Sequence, residues 1–143
     1  MEVNFYHIDN IDYTAIALLA TKILDENHKA IIYCTNQEII SKLDSSLWSH
    51  GRNKFLPHIT IYDKDFDFTR QPIVITNNQE NINQSSHLIL LNSANKDFIT
   101  KFDRLFCFIE KDSHLEKDIK SCIDNNCQIN SYKKDSNKWI KIN

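Results

Sequence analysis

The chain has 143 residues and a formal charge of -2, with 41% hydrophobic and 25% charged residues. These proportions fit one folded domain over residues 1–143 with a full hydrophobic core. Acidic and basic residues are interleaved, so no strong direct nucleic-acid binding through a broad basic face is expected. A single glycine in the whole chain excludes a glycine-rich phosphate loop, and with it a P-loop or a dinucleotide fingerprint.

Val3 to Ile8 mixes β-branched and aromatic residues and predicts a first strand. Asp9, Asn10 and Asp12 make a turn. Ile16, Leu19, Ala20, Ile23 and Leu24 then recur at helical spacing, predicting an amphipathic helix from Tyr13 to Asn27 or His28. Ala30 to Cys34 is a short apolar run suited to a parallel strand buried on both faces. Thr35 and Glu38 have capping-box spacing and open a helix that turns Ile39, Ile40, Leu43 and Leu47 inward and runs to about Trp48.

Next comes Leu47-Trp48-Ser49-His50-Gly51-Arg52-Asn53-Lys54-Phe55-Leu56-Pro57-His58, an irregular stretch holding a Trp and a Phe. Large aromatics in a loop either close the core or dock a partner. Ile59 to Tyr62 reads as a short strand or an extended connection, and Asp63 to Arg70 is ambiguous. Ile73 to Thr76 and Leu88 to Leu91 read as buried strands, separated by a polar loop from Asn77 to Ser86.

Phe98, Ile99, Phe102 and Leu105 have helical spacing and predict a helix over residues 95–103, and Leu105 to Ile109 reads as a further strand. A second capping box, Ser113 to Glu116, opens a helix to about Asn125. Gln128 to Tyr132 reads as a final edge strand, followed by a polar tail that ends Lys138-Trp139-Ile140-Lys141. The alternation predicts an α/β protein: a three-layer α/β/α arrangement around a mostly parallel sheet, with right-handed crossovers.

Catalytic chemistry is sparse. No serine has the glycines of a nucleophile elbow, and none of the six histidines pairs at helical metal-ligand spacing. His58 is the most interesting of them, but the sequence names no partner for a general base, so packing or hydrogen bonding within its loop is the reading. Asp63, Asp65 and Asp67 alternate without the glycine and distal Glu of a calcium loop, so they read as solvated. Cys34, Cys107, Cys122 and Cys127 lack zinc-pair spacing and read as reduced thiols. No secretory leader or membrane-spanning run of roughly 20 apolar residues is visible. A cytoplasmic protein with no metal, no cofactor and no catalytic residue is the expectation.

The helix end Leu47-Trp48 followed by Phe55-Leu56-Pro57-His58 resembles the chi subunit family of bacterial DNA polymerase III. Phe5-Tyr6, the Ala30 to Cys34 strand, Leu43-Asp44, the Leu88 to Leu91 strand, Phe98, Phe102 and Trp139 extend the resemblance over nearly the whole chain. The resemblance implies a Rossmann-like topology without a nucleotide-binding loop. It also implies a non-catalytic accessory role in DNA replication, bridging two partners. A psi-like clamp-loader subunit is expected to dock on Trp48, Phe55 and Pro57. The acidic, hydrophobic carboxyl-terminal tail of single-stranded DNA-binding protein is expected to meet Lys117 and Lys120, with Ile119 or Ile123 lining an apolar pocket and Lys133 and Lys134 adding charge. Ser121 and Asn125 stand where further basic residues are expected. Alternatives are a DNA helicase docking on the same aromatic surface, or a small α/β enzyme or nucleotide binder working at the carboxyl ends of the strands.

Overall fold

Successive side chains along a strand point to opposite faces, and here both faces are apolar. On the central strands Val3, Phe5, Ile31, Tyr33, Leu88, Leu90, Leu105 and Cys107 enter one core cluster. Ala30, Ile32, Ile89, Phe106 and Phe108 enter the other. A sheet buried on both sides needs helices on both sides, and a computed structural model, which describes residues 1–49, 57–63 and 67–142, shows that arrangement.

The strands are β1 (Glu2–Ile8), β2 (Ala30–Tyr33), β3 (Ile59–Thr60), β4 (Ile73–Thr76), β5 (His87–Leu90), β6 (Arg104–Glu110), β7 (Gln128–Asp135) and β8 (Lys138–Lys141). They form one sheet in the order β3-β4-β2-β5-β6-β1-β7-β8. Every neighbouring pair is parallel except β7–β8, an antiparallel hairpin. The helices are α1 (Tyr13–Asp25), α2 (Gln37–Ser49), α3 (Lys96–Ile99) and α4 (Leu115–Cys122). Ile16, Ala17, Ala20 and Ile23 of α1 pack with Ile40, Leu43 and Leu47 of α2 on one face. Phe98 and Ile99 of α3 pack with Leu115 and Ile119 of α4 on the other. The three-layer α/β/α expectation holds.

With one glycine available, other residues take the left-handed positions. α1 ends on Asn27 at φ 64°, with the Asn27 amide bonded to the Leu24 carbonyl and the His28 amide to that of Ile23. That is a Schellman cap carried by Asn. Ser136 and Asn137, both at positive φ, form the two-residue turn of the β7–β8 hairpin, whose flanking pair is Asp135 and Lys138.

Several expectations change at the ends of elements. Asn36, not Thr35, caps α2: its Oδ1 accepts from the Glu38 and Ile39 amides, while the Thr35 amide donates to Asn92. The helix containing Phe98 and Ile99 is a single turn, shorter than residues 95–103. α4 stops at Cys122 because Ile123 turns to extended backbone. β7 is no edge strand, since the supposed polar tail folds back as β8 and takes the edge.

Candidate functional site

At the carboxyl end of α2, Asp44 and Trp48 lie one turn apart and so share a face of the helix. Trp48 is 56% exposed, the most exposed of the large hydrophobic side chains among the described residues. Pro57 is also exposed and leads into β3. Phe55, the third residue expected on this surface, lies outside the described residues. His58 points inward with its side chain fully buried, and its Nε2 is 2.8 Å from the half-exposed Asp44 carboxylate. The His58 ring meets Trp48 edge-on, centroids 5.0 Å apart at 64°. The sequence names no partner for His58; the fold supplies one from the preceding helix.

The expected tail-binding residues sit on and after α4. Lys117 and Lys120 are exposed. Lys120 is not idle: its ammonium is 3.6 Å from Glu116 and 5.7 Å from the Phe5 ring centroid. Glu116 is also 3.8 Å from His7, and Asp118 accepts a hydrogen bond from Ser93. Ile119 is fully buried in the core under the helix, so it gives the helix its seat and offers no surface to a ligand. Ile123 is half-buried against the same cluster and retains an exposed part. Beyond it, exposed Ile140 of β8 and Ile142 just after that strand line a depression of about 300 Å³ with Lys133, Lys134 and Asp135. Those isoleucines belong to the segment that sequence alone reads as a tail.

A larger concavity, about 650 Å³, lies at the carboxyl ends of β1, β6 and β7. The connection from β1 runs through α1 on one face towards β2, and that from β6 runs through α4 on the other towards β7. Neighbouring β1 and β6 therefore form a topological switch point, the usual ligand crevice of open α/β sheets. Asp9, Asp12 and Glu110 face Lys111, Lys133 and Lys134 there, so the crevice has no excess positive field for a phosphate. Lys134 already bonds Asp12 at 2.6 Å. Burial acts to raise the Asp12 carboxyl, but the Lys134 and Ala15 hydrogen bonds outweigh it and leave it below the ordinary carboxylate value.

Next to this crevice an aromatic cluster closes the sheet face. Tyr6 stacks between Phe108 and Tyr132, and Trp139 meets it edge-on at 5.0 Å. Burial, reinforced by Tyr132, pushes the Tyr6 hydroxyl up to about 12. Among the described residues no group of three or more His, Cys, Asp or Glu is placed to hold a metal ion.

The sequence of residues 1–120 matches the family model described as "DNA polymerase III chi subunit, HolC". The chain is also 27% identical over 124 residues to a "Probable DNA polymerase III subunit chi" from Rickettsia prowazekii (strain Madrid E), covering 81% of this chain and 74% of that protein. The matched span runs from β1 into α4 and includes the Asp44, Trp48 and His58 cluster, so the chain belongs to the DNA polymerase III chi subunit family.

Proposed function

We propose that this replication accessory subunit works by docking rather than by chemistry, bridging a psi-like clamp-loader subunit to the carboxyl-terminal tail of single-stranded DNA-binding protein. The observation that carries the reading is Trp48. A 56% exposed indole at a helix end, beside an exposed proline, is the residue type that anchors protein interfaces. Trp48 and Pro57 form the psi side, and Phe55 joins them on the family resemblance. Docking buries roughly 150–250 Å² on an aromatic anchor, and its truncation costs about 2–4 kcal/mol of binding.

The acidic tail is read by Lys117 and Lys120, with Ile123 as the apolar contact and Ile119 as the buried support beneath. Lys133 on β7, Ile140 on β8 and Ile142 just beyond it extend the same chemistry. A peptide ending in an aromatic residue and a free carboxylate wants this pairing of lysine with exposed aliphatic surface.

The test is fluorescence anisotropy with a labelled acidic peptide ending Asp-Phe, together with a pull-down of purified psi subunit. Saturable peptide binding that weakens with salt and with Lys117→Glu is expected, as is loss of psi capture with Trp48→Ala. Absence of peptide binding at high micromolar concentration sinks the tail site, and full psi capture by Trp48→Ala sinks the aromatic site.

A further inference from the structure

We propose that Asp44 and His58 form a positioning pair that fixes the Trp48 ring before any partner arrives. The proposal rests on the reading of Trp48 as the psi-side anchor and adds two residues, the buried His58 and the part-exposed Asp44. The His58 side chain is fully buried while that of Asp44 is 37% exposed, so the pair runs from the interior to the surface. His58 follows Pro57 and directly precedes β3, whose pairing with β4 holds its backbone from below. The 2.8 Å contact from Nε2 to the Asp44 carboxylate then fixes the rotation of the imidazole, as a carboxylate does for an orienting histidine elsewhere.

A fixed imidazole edge, 5.0 Å from the Trp48 centroid, gives the indole a wall. Edge-to-face contact of this kind favours one ring orientation. A long helical side chain has two common χ1 wells, and a contact on one side of the ring favours one of them. Asp44 lies one turn before Trp48 on the same helix, and the carboxylate, imidazole and indole are linked in series between α2 and the β3 entry. The ordering of the anchor is then complete in the folded protein and is not charged against binding, which is the physical meaning of preorganisation.

The experiment uses the full chain labelled with 5-fluorotryptophan. With two tryptophans in the sequence, two ¹⁹F resonances arise, and Trp48→Phe assigns them. Asp44→Ala is the main variant, since its half-exposed position keeps the fold. It is expected to shift and broaden the Trp48 resonance, leave that of Trp139 in place, and weaken binding of purified psi subunit about 3–10-fold. Asp44→Asn keeps an oxygen in the acceptor position and is expected to restore both readouts. An unmoved Trp48 resonance in Asp44→Ala overturns the proposal. Equal movement of both resonances, or no recovery in Asp44→Asn, overturns it as well. If Trp48→Ala leaves psi binding unchanged, the docking reading falls, and the ¹⁹F comparison still decides whether Asp44 orders the indole.

Discussion

The ring of His87 lies flat against Phe106, centroids 5.8 Å apart and 17° from parallel, with its Nε2 buried and without a hydrogen-bond partner among the described residues. Its Nδ1 is 2.6 Å from the Ser86 hydroxyl, and His28 stacks on its outer side. Burial first, then the charge of Arg104 and the neighbouring His28, hold this imidazole down to about 4 from its ordinary 6.5. A partly orphaned buried histidine is tolerable only while neutral.

A pH dependence follows. The unfolded chain takes up this proton near pH 6.5, while the folded chain resists it to about 4. The stability that neutral His87 confers is therefore complete above pH 6.5 and is lost as pH falls through that window. The loss is at most about 3 kcal/mol. Urea melts at pH 7.5 and pH 4.5 measure it, and the difference between them is expected to shrink in His87→Phe. An equal pH difference in both proteins removes His87 as the cause.

Tyr6 gives the opposite sign. Its folded value of about 12 stands above the unfolded 10.0, so its contribution is present below pH 10 and is lost as pH rises through 12. In an absorbance titration of the five tyrosines, Tyr6 is expected to ionise last, together with unfolding. Tyr6→Phe should remove that late step. If the late step persists, it belongs to another tyrosine and not to Tyr6.

What sequence reveals here follows from whether the signal is local. The apolar spacing of Ile16, Ala20 and Ile23 is a property of one helix, and α1 lies where it predicts. The runs Ala30–Tyr33 and Ile73–Thr76 are buried on both faces, so composition alone marks them. β8 escapes because Lys138 and Lys141 flank its apolar residues and its turn lacks glycine. The pairing of His58 with Asp44 escapes for a different reason. It joins two elements across 14 residues, and nothing in local periodicity encodes that meeting. Ile119 shows the converse limit: helical spacing says which residues share a face, but only packing shows that this face is the buried one.

The Ser136-Asn137 turn is a place where the chain departs from the preferred residues for its geometry. Both residues sit at positive φ, 48° and 67°, a region that non-glycine residues enter at a cost of roughly 1–2 kcal/mol. A two-residue hairpin with this signature prefers Asn then Gly. The double substitution Ser136→Asn, Asn137→Gly is expected to stabilise the protein by about 0.5–1 kcal/mol, read from chemical denaturation. Hydrogen exchange of the β8 amides should slow in step. Destabilisation instead would mean that the Ser136 or Asn137 side chain makes a contact worth more than the backbone strain.

Glu116 sets the strength of the proposed tail site. Its carboxylate lies 3.6 Å from the Lys120 ammonium and 3.8 Å from His7, so it both occupies the cation meant for the ligand and repels an acidic peptide. An exposed i,i+4 ion pair contributes only about 0.3–0.5 kcal/mol to stability, so Glu116→Gln should leave the fold intact. The same change is expected to tighten binding of an acidic peptide ending Asp-Phe by about 2–5-fold, mostly through a faster on-rate at low salt. Adding Lys120→Ala on that background should abolish the gain, whereas adding Lys117→Ala should only lower the baseline. If Glu116→Gln leaves affinity unchanged at low salt, the peptide does not approach the first turns of α4, and the exposed Ile140 and Ile142 with Lys133 become the place to probe next.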